Sequence, residues 1–271
     1  MATPPQARRW RPSLLVQASA GLHAAALVAM LVRSAIWPWA IAALIANHAV
    51  LALAGLLPRC RWLGPNWTRL PAAAAARGEV ALTIDDGPDP DVTPAVLDLL
   101  ERHGARATFF CVGAQAERHP ALCREIVRRG HAIENHSQTH GLPFALLGPR
   151  GFLRELQAAQ QTLTAITGER PVFFRAPAGL RNPFLDPVLQ RLGLQLASWS
   201  RRAYDTRNGD AQAVLRLLTR SLRAGDILLL HDRHSASTAQ GTPVILEVLP
   251  PLLAAIAHAR LRCVTLRAAR G

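Results

Sequence analysis

Val80-Ala81-Leu82-Thr83-Ile84-Asp85-Asp86-Gly87-Pro88 decides how this chain is read. Residues suited to a buried strand run straight into two carboxylates, and Gly87 and Pro88 then supply a turn. Thr93 and Pro94 follow, a capping residue and a first-turn proline, and Gly104 stands where the helix they open would stop.

The same sequence of strand, polar turn and helix recurs downstream. Strands are expected near Val80 to Ile84, Ala107 to Val112, His131 to Asn135, Val172 to Phe174, Gln195 to Trp199, Asp226 to Leu230 and Arg262 to Leu266. Helices fit between them: one capped by Thr93, one ending at Gly130, and others over Phe152 to Ile166, Pro183 to Leu192, Ala211 to Arg223 and Val244 to His258. Seven strands separated by helices should lie parallel, wound into a barrel or stacked as an open sheet. The fold class is therefore α/β from residue 78 onward, with no internal repeat or low-complexity block.

The preceding residues differ in kind. The chain has 271 residues, half of them hydrophobic and 18% charged, which excludes both a small stand-alone module and a disordered chain. All 31 basic residues are Arg, against 18 acids, for a net charge of +13. Residues 1–77 hold eight of those Arg and no acid, together with five of the six Trp. Leu14 to Val32 is a run of 19 residues without a formal charge, and a second uncharged run extends from Ala35 to Leu57. Each is long enough to cross a hydrocarbon core of roughly 30 Å, and Trp10, Trp37, Trp39 and Trp62 fall near their ends, where indole rings favour the headgroup level.

Two transmembrane helices are expected, giving a basic N-terminal tail (1–13), a membrane hairpin (14–57), a juxtamembrane linker (58–77) and a large domain (78–271). A cleaved signal peptide would explain Arg8, Arg9 and Arg11 before an apolar run but leaves the second run without a purpose. A buried soluble helix pair or a re-entrant hairpin is permitted by the Ala content and by Asn47 and His48. Arg8, Arg9 and Arg11 precede the runs, Arg59, Arg61 and Arg69 follow them, and Arg33 alone lies between. That asymmetry predicts a multi-pass inner-membrane protein with its large domain on the cytoplasmic face and the lipid bilayer as a partner. Cys60, Cys111, Cys123 and Cys263 lie far apart without metal-type spacing and indicate no redox compartment.

Reactive residue types cluster at the carboxyl ends of the expected strands: Asp85 and Asp86 after the first, His136 and His140 after the third, Arg175 after the fourth, Tyr204 and Asp205 after the fifth, His231 and Asp232 after the sixth. Parallel barrels build active sites on that face. Asp-Asp-Gly-Pro alone makes an adequate turn, and His-x-x-x-His alone an adequate solvated pair. Together, two His spaced i and i+4 on a helical turn and one carboxylate form a three-ligand metal site with an open position, and the second carboxylate is free to act as base.

These motifs, Thr83-Ile84-Asp85-Asp86-Gly87-Pro88, His136-Ser137-Gln138-Thr139-His140, Arg175-Ala176-Pro177-Ala178-Gly179 and Leu228-Leu229-Leu230-His231, resemble in sequence and order those of the polysaccharide deacetylase (NodB homology, carbohydrate esterase 4) family. The resemblance covers roughly Gly78 to Leu266 and implies a distorted (β/α) barrel of about seven parallel strands and a metal-dependent hydrolase that removes an N-acetyl, O-acetyl or formyl group from a sugar. Carried onto this chain, it makes Asp86, His136 and His140 ligands of a divalent metal, usually Zn2+, with Asp85 the base, Arg175 the group that holds Asp85, and His231 the acid that protonates the departing amine. A backbone N–H near Ala178 would face the oxyanion.

The chain departs from the family pattern in several places. Ile84 stands for the usual Phe, and Ala178 for the common Tyr. In the segment Trp199 to Thr206 one Asp is kept, Asp205, which would orient His231, while Arg202 and Thr206 replace a common Asp and Trp, with Tyr204 beside them at the substrate rim. Arg201 and Arg202 would make that rim basic and favour an anionic substrate, such as a sugar carried on a lipid phosphate. The expected activity is N-deacetylation of an amino sugar in a polysaccharide or lipid-linked glycan. The competing readings are a deformylase or other deacylase of a lipid-linked amino sugar and a non-catalytic carbohydrate-binding barrel. No nucleic-acid partner is expected, because the domain has no basic helix with interleaved aromatics.

Overall fold

A computed structural model of the protein describes residues 10–141 and 143–270, so Arg8 and Arg9 of the expected basic tail lie outside the described residues. Two helices, α1 (Leu14–Val32) and α2 (Trp37–Leu56), form an antiparallel pair, each with its neighbouring turn long and apolar enough to cross a membrane. Most of their surface is exposed. The polar residues in the runs face each other: Asn47 Nδ2 donates to Ser19 Oγ at 2.9 Å, and the His23 and His48 rings meet at 3.3 Å.

After the short α3 (Ala72–Ala76), the strands are β1 (Glu79–Asp85), β2 (Ala107–Cys111), β3 (Ala132–Asn135), β4 (Phe173–Phe174), β5 (Gln195–Leu196), β6 (Arg201–Arg202), β7 (Ile227–His231) and β8 (Arg262–Cys263). Every pairing is parallel, and seven strands follow one curled path in the order β5-β4-β3-β2-β1-β7-β6. The expected seventh strand, at Arg262, is a side branch that pairs with Glu79 and Val80 at the start of β1. Its place on the path is taken by β6, only two residues long and too polar to be found by an apolar pattern.

The helices between strands are α4 (Thr93–Arg102), α5 (Gly113–Arg118), α6 (Pro120–Arg128), α7 (Pro149–Thr167), α8 (Leu185–Leu192), α9 (Ala211–Thr219) and α10 (Val244–His258), and α11 (Leu266–Arg270) ends the described chain. Thr93 is not the cap of α4: Val92 occupies that position, while the Thr93 hydroxyl accepts from Asp89 N–H and donates to Asp232. α9 stops four residues before the expected Arg223, and Ser221 with a positive φ lies just beyond it.

Residues 58–77 are more than a linker. Trp67 N–H donates to Leu196 O at 2.9 Å, Ser198 N–H to Trp67 O at 2.8 Å, and Leu70 N–H to Gly225 O at 2.9 Å. This segment occupies the opening of the sheet between β5 and the entry to β7, supplying partners to backbone groups that would otherwise be an unpaired edge. The Trp67 ring packs edge-on against Phe173 at 5.0 Å.

Candidate active site

Strand alternation sorts the inner residues from the outer ones. Val80, Leu82 and Ile84 pack outward under the helices, whereas Ala81, and with it Thr83 and Asp85, turns inward. In β7, Leu228 and Leu230 go outward and Ile227 and Leu229 inward, which carries His231 to the inner face. The register of the two strands makes Asp85 and His231 direct neighbours.

Asp85 is held by a buried cation. Arg175, 1% exposed, donates from Nη1 to Asp85 Oδ1 at 2.6 Å and to Thr83 Oγ1 at 2.8 Å, from Nη2 to Ser198 O at 2.9 Å and from Nε to Ala197 O at 3.1 Å. Its guanidinium also lies 4.1 Å over the Phe110 ring, a cation–π contact. Burial lowers the Arg175 guanidinium from its ordinary value and the charge of Asp85 opposes that. One carboxylate oxygen is thereby fixed, while the other, Oδ2, lies 3.9 Å from His136 Nε2.

His136 and His140 approach Asp86 together, each with Nε2 at 3.2 Å from Asp86 Oδ1, and the three ligand atoms lie within 4.8 Å of one another. The two His are not on a helix, as the i and i+4 spacing suggested. They sit on a loop after β3, folded by Ser137 and Asn135: Asn135 Oδ1 accepts from Ser137 N–H and Ser137 Oγ from His140 N–H. Such side-chain-to-backbone bonds compete with helix formation. Burial pushes the Asp86 carboxyl up, but hydrogen bonds from His136 and His140 and the charges of His136 and His231 outweigh it and hold the group well below the usual carboxylate range.

Asp205, fully buried, takes both bonds that orient His231: Oδ1 meets Nδ1 at 3.0 Å and Oδ2 accepts the His231 N–H at 2.7 Å. Burial pulls the His231 imidazole down, yet the hydrogen bond and charge of Asp205, with Asp85 and Asp86 behind them, leave it raised.

Asp85, Asp86, His136, His140, Ala178 and His231 all line one cleft of about 220 Å3. Arg175 and Asp205 stand behind it, and Tyr204 lies outside it, 56% exposed, in an adjoining cavity. Backbone φ is positive at Asp86, Ser137, His140, Ala178, Tyr204 and His234, six of the eight described non-glycine residues with that conformation, so strain concentrates around this site.

His234 also lines the cleft and was not foreseen; its Nδ1 lies 3.2 Å from Asp86 Oδ2. The signal was available, since His234 follows His231 in a loop at the carboxyl end of a strand. Arg201 does not face the rim as expected: it binds Asp226 at 2.6 Å and the Arg220 and Ser221 carbonyls. Arg202 does face the cleft, its guanidinium over Trp199 at 5.1 Å and Tyr204 at 5.0 Å.

Comparison with known proteins agrees with this geometry. The polysaccharide deacetylase family model matches residues 72–197. A peptidoglycan-N-acetylglucosamine deacetylase of Bacillus cereus is 32% identical over 175 residues, 64% of this chain and 81% of the relative. The chain belongs to the polysaccharide deacetylase family. A chitooligosaccharide deacetylase of Azorhizobium caulinodans is 37% identical over 160 residues, 58% of this chain and 74% of that one. The family 4 carbohydrate esterase of Streptomyces lividans, solved in complex with acetate, superimposes with a TM-score of 0.62 at 32% identity, covering 69% of this chain and 91% of that one.

Polysaccharide deacetylases are hydrolases of carbon–nitrogen bonds that use a divalent metal, and the donors here suit one. His136 Nδ1 lies 2.8 Å from the Arg175 carbonyl and can only donate to it, so Nε2, which faces Asp86, is the nitrogen that the neutral ring would offer a metal. A carbonyl partner on the far nitrogen is the arrangement that fixes the tautomer of a ligating imidazole. Two imidazoles and one carboxylate, two of the three side chains buried, match the donor set of a catalytic zinc site.

Proposed function

We propose that this chain is a membrane-anchored, metal-dependent deacetylase that hydrolyses the N-acetyl group of an amino sugar in a polysaccharide or lipid-linked glycan. The observation that carries the reading is the register pairing of Asp85 with His231 beside the Asp86–His136–His140 cluster: a base and an acid flank one set of metal ligands. The relatives described as acting on peptidoglycan N-acetylglucosamine and on chitooligosaccharides support N-acetylglucosamine as the sugar.

Asp86, His136 and His140 would hold a divalent cation, for which Zn2+ fits best. When bound, it supplies Lewis-acid polarisation of the acyl carbonyl and an acidified water. Asp85, anchored through Oδ1 by Arg175, accepts the proton of the attacking water on Oδ2. The backbone at Ala178, in the left-handed region with φ 53°, shapes the wall where an oxyanion donor is needed. His231, its imidazole raised by the hydrogen bond and charge of Asp205, passes its proton to the departing amine, and acetate and a free amino sugar result. The apolar helices α1 and α2 anchor the chain, and the Arg asymmetry around them favours the cytoplasmic side for the domain.

Metal analysis coupled to acetate release from N-acetylated glycans tests this. Near-stoichiometric zinc with acetate release is expected, and formate release from an N-formylated sugar in its place would make the enzyme a deformylase. Retained metal binding with no hydrolysis of any acylated sugar would favour a carbohydrate-binding barrel.

A further inference from the structure

Three cavities lie close to the junction of α2 with the domain. The catalytic cleft shares Trp199 and Arg202 with a neighbouring cavity of about 280 Å3, whose wall also includes Pro58 and Arg59. An apolar groove of about 540 Å3 runs between the two helices and the domain, bounded by Ala20, Leu51, Ala52, Leu146, Leu180 and Phe184, and its α2 wall ends at Leu56, two residues before Pro58. Gly179, which lines the cleft, is the residue before Leu180 of the groove, and a Cβ there would stand 2.6 Å from both Pro58 and Trp199.

The middle cavity is cationic. Among the described residues, Arg59 donates only to Ser200 O, at 3.4 Å, and Arg202 Nε is buried without a partner. Neither has a carboxylate at ion-pair distance, in contrast to Arg201 on Asp226. The groove lies among the first turns of α1 and the last turns of α2, within roughly 10–13 Å of the helix ends at 1.5 Å per residue. For helices that span a bilayer, that is the boundary between headgroups and acyl chains. Leu146 and Phe184, on domain loops at this level, are 85% and 53% exposed.

We infer that the substrate is an N-acylated amino sugar joined through phosphate to a long apolar lipid: the lipid chain lies in the hairpin groove, the phosphate contacts Arg59 and Arg202, and the sugar enters the cleft. This deepens the deacetylase reading and rests on it. Charge and apolarity follow one another in the order such a molecule presents them, and the groove opens where a membrane lipid would enter.

The test uses the full-length, zinc-loaded protein in detergent micelles and two substrates, N-acetylglucosamine linked by phosphate to a polyprenol and a water-soluble chitooligosaccharide. The ratio of their kcat/KM values is the readout. The lipid-linked substrate should be preferred at least tenfold, and Ala52→Phe, which fills the groove, and Arg59→Gln should each lower that ratio at least fivefold through KM. Polyprenyl phosphate should compete, and inorganic phosphate at the same concentration should not. Equal use of both substrates by the wild type, unchanged ratios in both variants, or equal competition by inorganic phosphate overturns the inference. A change of oligomeric state in Ala52→Phe also overturns it, by assigning the groove to a second copy of the chain. Failure to hydrolyse either substrate is a different result and sinks the deacetylase reading itself.

Discussion

Replacing Arg175 by Met tests whether the buried pair with Asp85 holds the site together. Methionine keeps much of the volume and the contact with Phe110 but removes four hydrogen bonds: two side-chain acceptors, on Asp85 and Thr83, and two carbonyls, on Ala197 and Ser198, lose their donor. Asp85 is 3% exposed, so its charge cannot turn to water. Removing one partner of such a pair costs about 3–5 kcal/mol, because the remaining charge stays buried and uncompensated. For a domain of this size each kcal/mol moves the melting temperature by about 2–4 °C, so Arg175→Met should melt roughly 6–20 °C lower. Thermal unfolding of the solubilised protein, followed by near-UV circular dichroism, measures this. The companion is a double-mutant cycle with Asp85→Asn, in which the two changes should fall short of additivity by about 1 kcal/mol or more, since the second removes a charge the first had already stranded. A melting temperature within about 2 °C of wild type, or additivity within about 0.5 kcal/mol, would refute the idea that Arg175 neutralises Asp85.

Asp205→Asn removes the carboxylate that keeps the His231 imidazole raised, so the alkaline limb of the kcat–pH profile should move to lower pH; an unmoved limb would separate the two residues functionally. His136→Ala should lose bound metal and activity together, read by metal analysis and acetate release, and full activity in that variant would sink the ligand assignment. Asp232 is fully buried, and burial lifts its carboxyl to about 7 in spite of hydrogen bonds from Thr93 and from the Arg233 N–H. The folded protein therefore keeps a proton there that the unfolded chain has lost; the stability from this group is full below about pH 4 and disappears as pH rises through about 7. Asp232→Asn should flatten that dependence in urea unfolding measured from pH 5 to pH 8, and an unchanged slope would show that the group titrates normally.

Much of this was legible in the sequence because burial and chemistry pointed the same way. β1 is buried along all seven of its residues, so an apolar run marks it, and the carboxylates that end it mark the catalytic face. α10 follows its apolar periodicity from Val244 to His258. What escaped was structure made by partners distant in the chain. β6 consists of two arginines and is a strand only because β7 lies alongside. The Trp67–Leu70 segment has no strand pattern and is fixed by carbonyls more than a hundred residues away. The helical placement of His136 and His140 failed for the opposite reason, since a local bond from the His140 N–H to Ser137 Oγ outweighed the spacing. At the rim, the sequence shows Arg201 and Arg202 as equals, and only the fold separates the one neutralised by Asp226 from the one left facing the cleft.

The charges in the cleft favour one division of labour over others. Asp85, Asp86 and Asp205 are buried within reach of one another, with Arg175 and His231 as the cations that touch them. With His231 protonated and the imidazoles on Asp86 neutral, the form in which they can ligate a metal, three carboxylates against two cations leave one negative charge in a region where unpaired charge is costly. Asp86, which holds only imidazoles, carries that excess, and a divalent cation is what its position calls for. A divalent cation held by Asp86, His136 and His140 would offset the Asp86 charge and weaken its contribution to raising the His231 imidazole. Asp205 is bonded to the far side of that ring, away from the metal ligands, and its contribution persists. In the proposed mechanism the acid would therefore depend on Asp205, the carboxylate that the metal would not compete for.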